Sequence, residues 1–118
     1  MDEEVVSLLD RGIDSLVKLD LVLLFDANPD FVDSARAVAS RLARDAREVE
    51  EALIALAGRG LVERFQLGSG RYVLFARPNS DRMRASIRRL SQIYHTDEQG
   101  RIGIIKKLMR VPERADPN

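Results

Sequence analysis

The sequence predicts a mainly α-helical domain carrying one small β-hairpin, and three observations between Ser34 and Phe75 predict it. Two apolar runs at helical spacing follow one another: Ala35, Val38, Ala39 and Leu42 behind Ser34, then Val49, Ala52, Leu53 and Leu56 behind Asp45. The second run stops at Gly58-Arg59-Gly60. Two strand-like runs come next, Leu61 to Leu67 and Arg71 to Phe75, joined by Gly68-Ser69-Gly70.

Taken in chain order, Asp2-Glu3-Glu4 caps and charges a short first helix with Val5, Leu8 and Leu9 on one side, which Gly12 ends or bends. From Ile13 to Asp26 the chain is apolar almost all round, and a helix of that kind needs cover on more than one side. Asn28-Pro29-Asp30 breaks it, because proline disfavours helical geometry in the residue before it. Phe31-Val32-Asp33 reads as a short first strand. Ser34 and Asp45 are N-caps, since their side-chain oxygens accept otherwise unpaired backbone N–H groups. The helix after Asp45 buries Val49, Ala52, Leu53 and Leu56 and turns Arg47, Glu48, Glu50 and Glu51 outward. Gly60 suits the left-handed residue at a helix end. In the hairpin Val62 alternates with Arg64 and Tyr72 with Leu74, as a half-buried sheet requires, while the Gly68-Ser69-Gly70 tip supplies positive backbone angles. After Asn79-Ser80-Asp81, the stripe Met83, Ile87, Leu90 and Tyr94 marks another helix, with Arg82, Arg84, Arg88 and Arg89 off the stripe. Thr96 with Gln99 matches a capping box for a last helix through about Met109. Pro112 stops it, and Pro117-Asn118 reads as a frayed end.

Composition agrees with one soluble, helix-rich domain: 118 residues, 45% apolar and 32% charged. The expected divisions are an N-terminal helical arm (1–12), a central domain (13–78), a C-terminal helical extension (79–111) and a tail (112–118). Met1 is followed by three acids, so no secretory leader is expected. The longest apolar run, Leu21 to Phe25, falls far short of the roughly 20 residues that span a bilayer. A cytoplasmic protein away from membranes is the expectation. Without cysteine and with a single histidine, disulfides and thiolate chemistry are excluded and a structural zinc site is disfavoured; no metal and no cofactor are expected. Formal charge is zero overall but polarised: residues 1–76 carry a net of −5 and residues 77–118 a net of +5.

Residues 13–77, above all the stretch from Asp45 through Gly60-Leu61-Val62, resemble the winged helix-turn-helix superfamily, MarR-like and ArsR-like transcriptional regulators among them. That resemblance implies a winged helix-turn-helix with an N-terminal helix and a C-terminal helical extension. It makes the helix from Asp45 to about Ala57 the recognition helix of the major groove, with Ala46, Arg47, Glu48, Glu50, Glu51 and Ile54 toward the DNA. It makes the hairpin the wing, with Arg64, Arg71 and Arg77 as phosphate contacts and Arg47 as the sole credible base reader. The implied function is duplex DNA binding as a homodimer through the wing and the basic extension. Against it, Glu48, Glu50 and Glu51 would meet a surface carrying one negative charge per about 1.7 Å. The alternative is a protein–protein interaction module whose acidic helix, through Glu48, Glu50 and Glu51, docks a basic partner.

Three further features complete the expectations. Arg82, Arg84, Arg88 and Arg89 contact phosphates, pair with the acidic helix of the same or another subunit, or form a solvated face. Met83, Ile87, Leu90 and Tyr94, added to the first long helix, expose more apolar surface than a small monomer hides, which predicts a homodimer interface in 79–111. His95 stands alone, and Ser34, Ser69 and Ser80 have no partner pattern for nucleophilic catalysis, so no enzyme is expected.

Overall fold

The computed structural model describes residues 1–109. Pro112, the tail 112–118 and residues 110–111 of the extension lie outside the described residues. The elements are α1 (Glu3–Gly12), α2 (Leu16–Ala27), α3 (Ala35–Leu42), α4 (Ala46–Gly58), β1 (Glu63–Leu67), β2 (Tyr72–Ala76), α5 (Asp81–Thr96) and α6 (Glu98–Leu108).

Polar caps set the helix starts. Asp2 accepts from the Val5 N–H at 3.0 Å, Ser34 from Ala37 at 3.2 Å, Asp45 from Glu48 at 2.9 Å and Ser80 from Met83 at 3.1 Å. Each satisfies a donor that the helix itself leaves unpaired. The same chemistry corrects two expected boundaries. The second helix begins at Leu16 and not at Ile13, because Ser15 is extended and its hydroxyl accepts from the Lys18 N–H. Ile13 is buried in the turn before it. The last helix is capped by Asp97, whose carboxylate accepts from the Gly100 N–H at 3.1 Å. The Thr96 hydroxyl instead donates back to the Gln92 carbonyl inside α5. At a helix N-terminus the full negative charge of Asp97 is the better complement to the macrodipole.

α3 ends on Ala43, which holds a left-handed conformation at φ 55°. The Arg44 N–H then returns to the Ala39 carbonyl at 2.9 Å, and the Arg44 guanidinium meets Asp20 at 2.6 Å. This fixes the tight turn between α3 and α4 against α2.

The expected first strand reduces to one bridge. Asp33 and Phe75 exchange both backbone hydrogen bonds, at 3.2 and 2.8 Å, and the chain turns at once into α3. β1 and β2 pair antiparallel in the register Glu63↔Ala76 through Leu67↔Tyr72.

One continuous core joins all six helices and the base of the hairpin. Leu19, Leu21, Val22 and Phe25 of α2 meet Leu53 and Leu56 of α4, Phe75 of β2, and Ile87 and Leu90 of α5. Val5, Leu8 and Leu9 of α1 and Ile104 of α6 close the same cluster. The all-round apolar α2 thus finds cover within the chain, from α4 on one side and α5 on the other.

Candidate nucleic-acid interface

α4 presents two different surfaces. Val49, Ala52, Leu53 and Leu56 are buried, whereas Ala46, Arg47, Glu48, Glu50, Glu51 and Ile54 are all exposed. Arg47 lies 3.6 Å from Glu51, one turn on, with both side chains open to solvent at 87% and 72%. Such a pair contributes only a few tenths of a kcal/mol, so Arg47 is readily drawn elsewhere. Glu48 and Glu50 have no ion-pair partner among the described residues.

The first turns of α3 and α4 open with β2 onto a common cleft of about 480 Å³. Arg36 of α3, Arg47 of α4 and Arg71 at the start of the second hairpin arm line it, with Glu50 as the single acid. Ala35 and Ala46 line it too. They belong to first helical turns, whose N–H groups have no acceptor within their helices. Two helix starts and three guanidinium groups around one concavity make an anion site of the kind that holds phosphate. Arg36 and Arg71 have no carboxylate partner among the described residues.

The arginines expected at the interface therefore separate. Arg47 and Arg71 share the cleft. Arg64 lies on β1 opposite Phe75 and is exposed, outside the cleft lining. Arg77 is half-buried and lines a small cavity of about 20 Å³ with Asp26, Pro78 and Arg84. Arg36 escapes sequence reasoning, being a single cation off the apolar face of a short helix. Only the Asp33–Phe75 bridge, which ties the start of α3 to β2, brings it beside Arg71.

The dense arginine cluster of α5 is committed elsewhere. Arg89 donates to Asp2 at 2.6 and 3.0 Å and lies 3.6 Å from Glu4. The Arg89 hydrogen bond, and after it the Val5 N–H, hold the Asp2 carboxyl below its ordinary value of 3.8, and Asp2 in turn raises the Arg89 guanidinium. Arg88 meets Asp26 at 3.5 Å; Arg84 donates to the Pro78 carbonyl at 2.6 Å and pairs with Asp81 at 3.6 Å. The expectation of pairing with α4 is thus corrected within the chain: the partners are acids of α1, α2 and α5 itself. Of the four, Arg82 alone has no carboxylate partner among the described residues.

No protein-family model and no curated protein matches the sequence. Solved structures do match. A mutant of ZitR from Lactococcus lactis is 14% identical with a TM-score of 0.51; the alignment covers 78% of this chain and 57% of that one. The chain thus spans little more than half the length of that protein. A possible transcriptional regulator from Methanosarcina mazei is 20% identical with a TM-score of 0.57, over 92% of this chain and 88% of that one. The fold is a winged helix-turn-helix.

In winged helix terms, α3 and α4 are the helix-turn-helix, the hairpin is the wing, and the cleft lies where they meet. The wing departs from the expected half-buried alternation. Every residue of β1 beyond Glu63 is exposed, including Phe65 at 41% and Leu67 at 51%. Leu67 faces Tyr72, itself 59% exposed, so the distal wing carries an apolar surface. The α5 stripe does the opposite. Ile87 and Leu90 are buried in this chain's core, leaving only Met83 and Tyr94 half-exposed. The reason is α1 and α2, which cover the stripe that was expected to await a second subunit.

Proposed function

We propose that this chain is a transcriptional-regulator-like protein that binds duplex DNA by gripping phosphates at the junction of wing and helix-turn-helix. The observation that carries the reading is the convergence of Arg36, Arg47 and Arg71 with two helix starts on one cleft. The likeness to a possible regulator from Methanosarcina mazei supports it. Arg64 extends the contact along the wing, and Arg47 is the side chain placed to reach a base edge. α5 contributes little to the grip, because Arg84, Arg88 and Arg89 already face carboxylates. Pairing of two chains, which doubles such contacts on a two-fold site, falls to surfaces other than the buried Ile87 and Leu90.

Affinity for duplex DNA should therefore fall steeply with salt, and Arg36→Ala with Arg71→Ala should weaken it similarly for all sequences. Arg47→Ala should in addition flatten any sequence preference. Binding that stays constant between about 50 and 200 mM salt contradicts a phosphate grip.

A second reading keeps the fold and exchanges the partner for a basic protein segment. It is favoured by the unpaired Glu48 and Glu50 on α4 and by Phe65, Leu67 and Tyr72 on the wing. Duplex affinity that is absent in the native protein, and still absent when Glu48, Glu50 and Glu51 are all Gln, selects this reading over the first.

A further inference from the structure

A second cleft, of about 380 Å³, lies on the other side of the molecule between α1, the start of α5 and the turn after α4. Its volume is within the range of small-molecule sites. Arg11 and Arg82 line it from opposite elements, and neither has a carboxylate partner among the described residues. Leu8 and Met83 supply apolar lining, and the hydroxyls of Ser7 and Ser86 stand beside them. Glu4 is the one acid in the lining. Its carboxylate is 3.2 Å from the Ser86 hydroxyl and 3.6 Å from Arg89, so it is already engaged on the far side.

From this arrangement we infer that the cleft binds a small organic acid with one carboxylate and a short apolar body. The two guanidinium groups take the carboxylate, for which their planar, charge-assisted donors are suited. Leu8 and Met83 take the hydrocarbon. Glu4 at the margin sets the charge limit: a dianion such as phosphate meets its repulsion, while a monoanion is balanced by the two arginines.

The cleft also has a connection to α4. The Arg11 Nε–H donates to the carbonyl of Arg59 at 3.1 Å, and Arg59 is the C-cap of α4. Arg11 therefore supplies positive charge at the negative end of that helix dipole. A carboxylate in the cleft competes with the Arg59 carbonyl for Arg11, so occupancy is felt at the end of the helix whose beginning lines the phosphate cleft. This coupling to DNA rests on the proposed function; the binding itself does not.

The test is a titration of the full chain, isotopically labelled, with sodium hexanoate at constant ionic strength, followed by amide chemical shifts. The expected result is saturable change at Ser7, Leu8, Arg11, Met83 and Ser86, reaching Arg59 and Gly60. Hexanamide and inorganic phosphate should each leave these amides unmoved. Arg82→Ala and Arg11→Ala, both at exposed positions, should each weaken hexanoate roughly tenfold, the loss of one charge-assisted hydrogen bond. No saturable shift with hexanoate overturns the inference, as does equal binding of hexanamide or of phosphate. A parallel DNA titration separates the two ideas. Hexanoate binding without any duplex binding leaves the site standing and removes the DNA reading. Duplex binding without a hexanoate response removes the site and leaves the DNA reading.

Discussion

Two sets of arginines in this small protein face opposite circumstances. Arg84, Arg88 and Arg89 form the densest basic run in the sequence, yet each meets a carboxylate of its own chain. Arg36, Arg47 and Arg71 are scattered over 36 positions and draw no notice as a group, yet they surround one cleft. Density of charge along a chain measures how much charge there is; only the fold decides how much is left for a partner. In α5 the arginines fasten α1 and the end of α2. Around the cleft the only neutralising contact is the long, exposed Arg47–Glu51 pair.

The comparison is broken most forcefully by testing what α5 does in the monomer. Ile87 and Leu90 are 3% and 0% exposed, so replacing both with Asp buries two charges in the core and should cost several kcal/mol. The expected outcome is loss of cooperative thermal unfolding by circular dichroism. A well-folded variant with altered sedimentation would mean that the stripe serves a second subunit after all.

The next largest effect contrasts the two arginine sets directly. Arg36→Ala with Arg71→Ala should lower duplex affinity at low salt by roughly tenfold or more, since two phosphate contacts are lost. Arg84→Ala with Arg88→Ala should change it less than about twofold while lowering the melting temperature, because those side chains hold the fold. The reverse ranking, read by fluorescence anisotropy, would transfer the interface to α5.

The acids of α4 sharpen the picture at a smaller scale. With Glu48, Glu50 and Glu51 all changed to Gln, nonspecific duplex affinity at low salt should rise about three- to tenfold as repulsion is removed. An unchanged value would show that DNA does not approach this helix.

The smallest effect concerns Asp2. Its carboxyl titrates below the ordinary 3.8 in the folded protein, so the pairing with Arg89 stabilises above that value and is lost as pH falls through the lowered one. Asp2→Asn should therefore lower the melting temperature slightly at neutral pH and leave it nearly unchanged at about pH 2. A deficit that persists at low pH would point to the lost N-cap of α1 instead of the ion pair.

Much of this fold is legible in the sequence because the signals are local. Ser34, Asp45 and Gly60 each act within a turn of where they stand, and all three hold the expected positions. Where prediction slipped, a nearby polar group won: Ser15 over the apolar run from Ile13, and Asp97 over Thr96. The candidate site was harder. Arg47 and Arg71 could be named from helix and hairpin alone, but Arg36 depends on the bridge between Asp33 and Phe75. The partners of Arg88 and Arg89 lie 62 and 87 positions away, beyond any periodic signal. The apolar excess that suggested a dimer failed for the same reason, since α1 and α5 are distant in sequence and adjacent in space.

That adjacency has a consequence in time. Val5, Leu8 and Leu9 are covered by α5, whose first residue is made about 70 positions after α1 is complete. At synthesis rates of roughly 5–20 residues per second, the apolar side of α1 waits on the order of 4–14 s without its cover. The helix-turn-helix and wing meanwhile have all their own partners in hand. The N-terminal arm is thus the first element made and among the last to be settled, and while the chain is still on the ribosome it is the part a chaperone has most reason to hold.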